Sequence, residues 1–223
     1  MIQRTTLREQ LADALREEIL AGRLAPGGEF TVREIAEQYG VSATPVREAL
    51  VDLSAQGLLE VEQHRGFRIR EYSLTDFQDM IEAQTIVVEG ALHHPALTLR
   101  GAGPEAYTSI RRRASAARQA ALAGDLDVLI AYDLRFWREL DALVGNPYLG
   151  EFLDRLRVRS WAFCVPHLKR LARADAIAGR LWAGHLELTD AVEHNDVRQA
   201  ARLLRDHRAH QLALAFDLAA EDR

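Results

Sequence analysis

Three ionisable side chains stand where apolar ones are expected. Leu129, Asp133, Phe136 and Leu140 recur at spacings of four, three and four, which puts an acid on the apolar face of a helix. Leu181, His185, Leu188 and Val192 repeat that spacing with a histidine in the same place, and Leu203, His207, His210 and Leu214 do so again. An ionisable group on a core-facing stripe is costly to bury unless a hydrogen-bonding partner, a metal or a ligand satisfies it. Each histidine taken singly reads best as a hydrogen-bonded core residue. Three such stripes together point to one interior site built from Asp133, His185 and His207. A metal-dependent enzyme could use the three with an open coordination position for water. No dedicated nucleophile or general base accompanies them, however, and no catalytic residue is assigned.

A second constellation lies near the amino terminus. Thr31 and Glu34 form a capping box opening a short helix with Val32, Ile35, Ala36 and Tyr39 on its apolar side, and Gly40 should end it. Val41 and Ser42 make a tight turn, and Pro45 falls in the first turn of a second helix, where its missing N–H would have no partner anyway. Val46, Ala49, Leu50 and Leu53 then face inward, leaving Ala43, Thr44, Arg47 and Glu48 facing away. This is a helix-turn-helix pattern, and in a DNA reader those outward positions enter the major groove. Beyond it, Leu59 and Val61 alternate with Glu60 and Glu62, and Phe67 and Ile69 with Arg68 and Arg70, on either side of Gln63-His64-Arg65-Gly66. Such a hairpin is a wing whose basic tip can enter a minor groove or clamp phosphates.

The elements that must position both constellations are legible from their punctuation. Thr6 and Glu9 cap a first helix carrying Leu7, Leu11, Leu15 and Ile19, which Gly22 ends. From Ser73 onward only helical periodicity remains, with helices expected at about 74–94, 104–123, 126–144, 147–170, 174–194 and 197–219. The chain should therefore be mainly α: an N-terminal winged helix-turn-helix over residues 1–71, then an all-α helical bundle over 72–223. Trp161, Phe163 and Trp182, at helical spacings, read as core or interface packing.

Of the 223 residues, 48% are hydrophobic, enough for a sizeable core. The net charge of −5 argues against indiscriminate nucleic-acid binding, but a reader of specific sites needs only a local basic face. The single cysteine, Cys164, excludes an internal disulfide framework and fits a reducing cytoplasm. Neither a charged leader with an apolar core nor an apolar run approaching the ~18 residues of a membrane span is present. A cytoplasmic protein without membrane contact is expected.

The segments AGRLAPGGEFTVREIAEQYG and VSATPVREALVDLSAQGLLE resemble the DNA-binding half of the GntR family of bacterial transcriptional regulators. AYDLRFWRELDALVGNP and GHLELTDAVEHNDVRQAARLLRDH resemble the all-helical FCD effector domain of its FadR-like branch, so the resemblance spans essentially the whole chain. It implies a DNA-binding regulator, a repressor by default, that meets a double-stranded operator as a homodimer and answers to a small-molecule effector, a carboxylic acid by family habit. The DNA contacts it implies are Arg33, Ser42, Thr44, Arg47, His64, Arg65 and Gly66; Ala43 stands where arginine is common. It further implies one divalent metal, zinc, nickel or manganese, at Asp133, His185 and His207, or an effector pocket there if no metal binds. The fourth ligand position, one turn after Asp133, is Trp137, whose indole cannot ligate. Thr85 replaces a frequent arginine four residues before Glu89. A DNA-binding protein without effector control remains an alternative.

Overall fold

The computed structural model describes residues 6–62, 65–93, 103–173, 177 and 179–221, and these divide into two compact units, Met1–Tyr72 and Ser73–Arg223. In the first unit, α1 (Leu7–Leu20) and α2 (Val32–Tyr39) each open on the expected capping box, in which the threonine hydroxyl accepts from the glutamate N–H and the glutamate reaches back to the threonine N–H. Gly40 closes α2 in the left-handed conformation, and α3 (Ala43–Ala55) follows after two residues. Val46, Ala49, Leu50 and Leu53 of α3 are completely buried, and α3 packs on α1 and α2, whose Leu11, Leu15, Ile19 and Ile35 are buried too. Each such leucine contributes roughly 1.5–3 kcal/mol, so the register of α3, and with it the direction of its outer face, is fixed from inside.

The hairpin forms as expected from β2 (Leu59–Glu62) and β3 (Gly66–Ile69), but β3 also pairs with a third strand, β1 (Glu29–Phe30), giving the antiparallel order β1-β3-β2. Two residues are too few to show alternation, so β1 left no trace in the sequence pattern. It explains Gly66. A Cβ there would lie 2.4 Å from the Phe30 carbonyl oxygen, and the backbone has φ +111°, so only glycine lets β3 approach β1 this closely.

The second unit contains α4 (Leu74–His93), α5 (Pro104–Ala123), α6 (Leu126–Ala142), α7 (Pro147–Arg173), α8 (His185–Glu193) and α9 (Val197–Glu221). Helix α6 lies between α5 and α7, α4 packs on α7 and α9, and α8 packs on α5 and α9. Ile110, Ala114, Phe136, Trp137, Leu188 and Val192 form a core where α5, α6 and α8 meet. One expectation needs correction. Helix α7 runs through Pro166 to Arg173, close to its expected end, but the helix expected over 174–194 begins only at His185; residues 174–176 and 178 lie outside the described residues. Leu181 is thus a buried residue of the segment before α8 rather than part of its stripe. Gly184 caps α8 because the Trp182 ring folds back onto it: a Cβ there would meet that ring at 2.6 Å.

Candidate functional site

Both constellations can be built from these elements. On the first unit, Ser42 is the N-cap of α3 yet makes no side-chain capping bond, which leaves its hydroxyl and the open N–H groups of the first turn facing water. Ser42, Thr44 and Arg47 are exposed. Arg33, Ala43 and Arg47 line one shallow groove between α2 and α3. Arg33 is held 2.8 Å from Glu37, an exposed pair that a stronger anion can displace at small cost. Arg47 and Arg65 have no ion pair among the described residues. Arg65 lies at the hairpin tip, its N–H bonded to the Glu62 carbonyl at 3.1 Å, and His64 lies outside the described residues. Further down the hairpin, Arg68 is bound by Glu60 and Glu62, so the free positive charge is confined to the tip.

In the second unit α6 carries Asp133, buried and ringed by three donors. Trp137 Nε1 donates to Oδ1 at 2.9 Å, Trp161 Nε1 to Oδ2 at 2.8 Å, and His185 Nε2 lies 3.0 Å from Oδ1. His185 Nδ1 is buried without a partner, and the tautomer that suits this places the proton on Nε2, as donor to Asp133. Burial pushes the Asp133 carboxyl up, but the bond from His185, the imidazoles of His185 and His207 and the Trp161 N–H outweigh it and hold the group below its ordinary value. It is a carboxylate at neutral pH, satisfied from within the protein.

His207 does not join this cluster by a hydrogen bond. Its ring stacks on Trp137 (centroids 4.9 Å apart, 22° between planes) and tilts against Trp182 at 4.4 Å. Loss of hydration between these rings lowers its pKa to about 3, so the imidazole is neutral. Asp133, Trp137, Trp161, Trp182, His207 and Gln211 line a cavity of about 60 Å3, measured as space open to the centre of a water molecule. One water needs roughly 10–15 Å3 on that measure, so the cavity has room for several waters or a small flat molecule. Arg157 also lines it, stacked over Trp137 at 4.7 Å and forked onto buried Asp141. A second cavity shares Trp137, Arg157, His207 and Gln211 and adds Thr85, Glu89, Arg205 and Arg208. Thr85 spends its hydroxyl on the Ile81 carbonyl.

The implied divalent metal does not fit this arrangement. Two indole N–H groups and an imidazole N–H point at the oxygens a cation would need, and His207 is engaged through its ring face. Among the described residues no three His, Cys, Asp or Glu side chains converge as a ligand set. Sequence reasoning missed the parts played by Trp161, Trp182 and Gln211. Trp161 and Trp182 are wall residues of the cavity rather than plain packing, while Phe163 is core, stacked on Phe77 at 4.9 Å. Cys164 is buried and its thiol is pushed up to about 12, which leaves it inert.

Comparison with known proteins decides what carries these sites. Residues 7–69 match the model of the bacterial regulatory proteins of the gntR family, and residues 87–210 match the FCD domain. The chain belongs to the GntR family. A "Probable D-xylose utilization operon transcriptional repressor" of Paenarthrobacter nicotinovorans is 31% identical over 212 residues, covering 95% of this chain and 89% of that relative. The HTH-type transcriptional repressor GlaR of Escherichia coli is 26% identical over 196 residues, covering 86% of this chain and 88% of GlaR. The solved structure of E. coli McbR/YncC shares the fold, with a TM-score of 0.78 at 23% identity over 96% of this chain and 99% of that one. The protein is a DNA-binding transcriptional regulator with an FCD domain and not an enzyme, which removes the metal-dependent enzyme alternative. No helix among the described residues is long and apolar enough to cross a membrane.

Proposed function

We propose that this GntR regulator works in the cytoplasm as a homodimeric repressor whose helical unit binds a small metabolite and thereby weakens its hold on an operator. Domains over 1–71 and 72–223 would divide the labour: the winged helix reads DNA, and the bundle dimerises and senses. Arg47 and Thr44 would meet base edges from α3, Ser42 and Arg33 phosphates beside it, and His64, Arg65 and Gly66 the backbone at the wing. One recognition helix spans only a few base pairs, so useful specificity requires two. Repression is favoured by the names that two relatives carry.

The observation that carries the sensing half is the cavity, where His207 and Gln211 face the space without hydrogen-bond partners among the described residues. A carboxylic acid effector, the class implied by the resemblance, would find its counter-charges in the neighbouring cavity, at Arg205 and Arg208, which carry no ion pair among the described residues. A divalent ion at Asp133, His185 and His207 is not part of this reading.

Coupling between effector and operator must be reciprocal. Operator duplexes selected from a random pool are the DNA probe, and a metabolite that releases them should bind the protein less tightly in calorimetry when operator is present. Equal affinity with and without DNA would exclude control by that compound. At the DNA face, Arg65→Ala should reduce the slope of log affinity against log salt by about one phosphate contact.

A further inference from the structure

Resting on the reading of the helical cavity as an effector site, we propose that it takes an uncharged ring compound, held by contact with an aromatic wall and two side-chain hydrogen bonds, and takes it without a metal. The charges in the wall lead there. Asp133 is an anion whose oxygens already accept three N–H bonds. Arg157, the cation that reaches this cavity, is forked onto Asp141, and both are buried. A carboxylate entering here would join an existing anion and find no free cation, and burying a charge without a partner is expensive. A cationic ligand would have to draw Asp133 away from its donors, leaving indole N–H groups buried and unsatisfied. An uncharged ligand disturbs neither.

Shape and polarity agree with this. Trp137 stacks on His207 at 4.9 Å, lies 6.2 Å from Trp182 and carries Arg157 at 4.7 Å, so these groups cover one another's faces and present a rigid aromatic wall against which the edge of a guest ring can pack. Most polar groups around the space are engaged: the Ser160 hydroxyl donates to the Leu156 carbonyl and accepts from Gln84, and His210 Nε2 bonds the Arg180 carbonyl. His207 and Gln211 remain. They are four residues apart on α9 and so share a face, and between them they offer donors and acceptors. The ligand class is therefore a small planar molecule with a neutral donor–acceptor group, such as an amide or lactam.

The test uses matched pairs that differ in charge and hardly in size: benzamide against benzoate, and nicotinamide against nicotinate. Full-length protein stripped with a chelator is titrated with each by calorimetry and thermal melting, then again with added zinc, nickel or manganese. Both amides should raise the melting temperature and bind at least about tenfold more tightly than their acids, with no change on adding metal. Gln211→Leu should weaken the amides about tenfold, and Gln211→Arg should turn the preference toward the acids. Acids binding as tightly as amides once Arg205 and Arg208 of the neighbouring cavity are both replaced by alanine, binding that requires metal, or no binding of either amide would overturn the proposal, and the wild-type amide titrations decide it even if a variant fails to fold. Operator binding followed in parallel by gel shift separates the two readings: a protein that binds operator and is released by benzoate keeps its regulatory role and loses this ligand class.

Discussion

Arg47 and Asp133 show two opposite ways of presenting a charge. Arg47 stands on an exposed helix face with no partner among the described residues, while every neighbour behind it on α3 is locked into the core. Asp133 is only 6% exposed and has three N–H partners. The first arrangement keeps a group ready for a partner that comes from outside, because its desolvation is deferred until binding. The second gives the partner's place to the protein itself and turns a carboxylate into a clamp that orients two indoles and an imidazole. The part of the cavity left to a guest is then the aromatic wall, His207 and Gln211, not the acid. In the DNA-reading unit the ionisable residue is the contact; in the helical unit it is the scaffold of the contact.

Removing each charge should separate these roles. Asp133→Ala strands three N–H groups and should destabilise the helical unit by about 1–3 kcal/mol for each donor left buried and unsatisfied, as read by urea unfolding followed by circular dichroism. An unchanged midpoint would mean that the rings do not depend on the clamp. Arg47→Ala should leave unfolding unchanged and cost about 1–3 kcal/mol of operator affinity if it reads a base. Gly66→Ala forces a side chain into φ +111° against the Phe30 carbonyl, a strain on the order of 1–3 kcal/mol; it should weaken operator binding through a displaced wing, and full affinity would show that β1 is dispensable. Stability should also depend on pH. The folded-state pKa of His207 lies below its usual value near 6.5, so the unfolded chain takes up that proton first. Stability from this residue should be complete above about pH 6.5 and decline as pH falls toward 3, with Asp133, also shifted down, extending the loss below its ordinary range. His207→Gln should flatten the upper part of that decline.

The difference between the two units also governed what could be read from the chain. Thr31, Glu34, Gly40 and Pro45 act through bonds to residues three or four positions away, so their spacing alone announces α2, the turn and α3. Asp133 and His185 were conspicuous because each interrupts an apolar stripe. Trp161 was not, since an indole on a helix face reads as packing until α7 is laid against α6 and its N–H meets a carboxylate 28 residues away. Gln211 resembles any surface polar residue until the bundle closes around it. The start of α8 was misplaced because Leu181 and His185 keep helical spacing across Gly184, although the chain before that glycine serves to bring Trp182 onto the cavity.

One arrangement has an optical consequence. The chain has three tryptophans, and Trp137, Trp161 and Trp182 all stand on the wall of the same cavity, while residues 1–72 contain none. Intrinsic indole emission therefore reports on the helical unit alone, without a label and without interference from the DNA-reading unit. Two of the three indoles are hydrogen-bonded to a carboxylate and two pack against imidazoles, surroundings that a guest entering the space would alter directly. The protein carries its own occupancy gauge, and operator-bound and free samples can be compared with the same light.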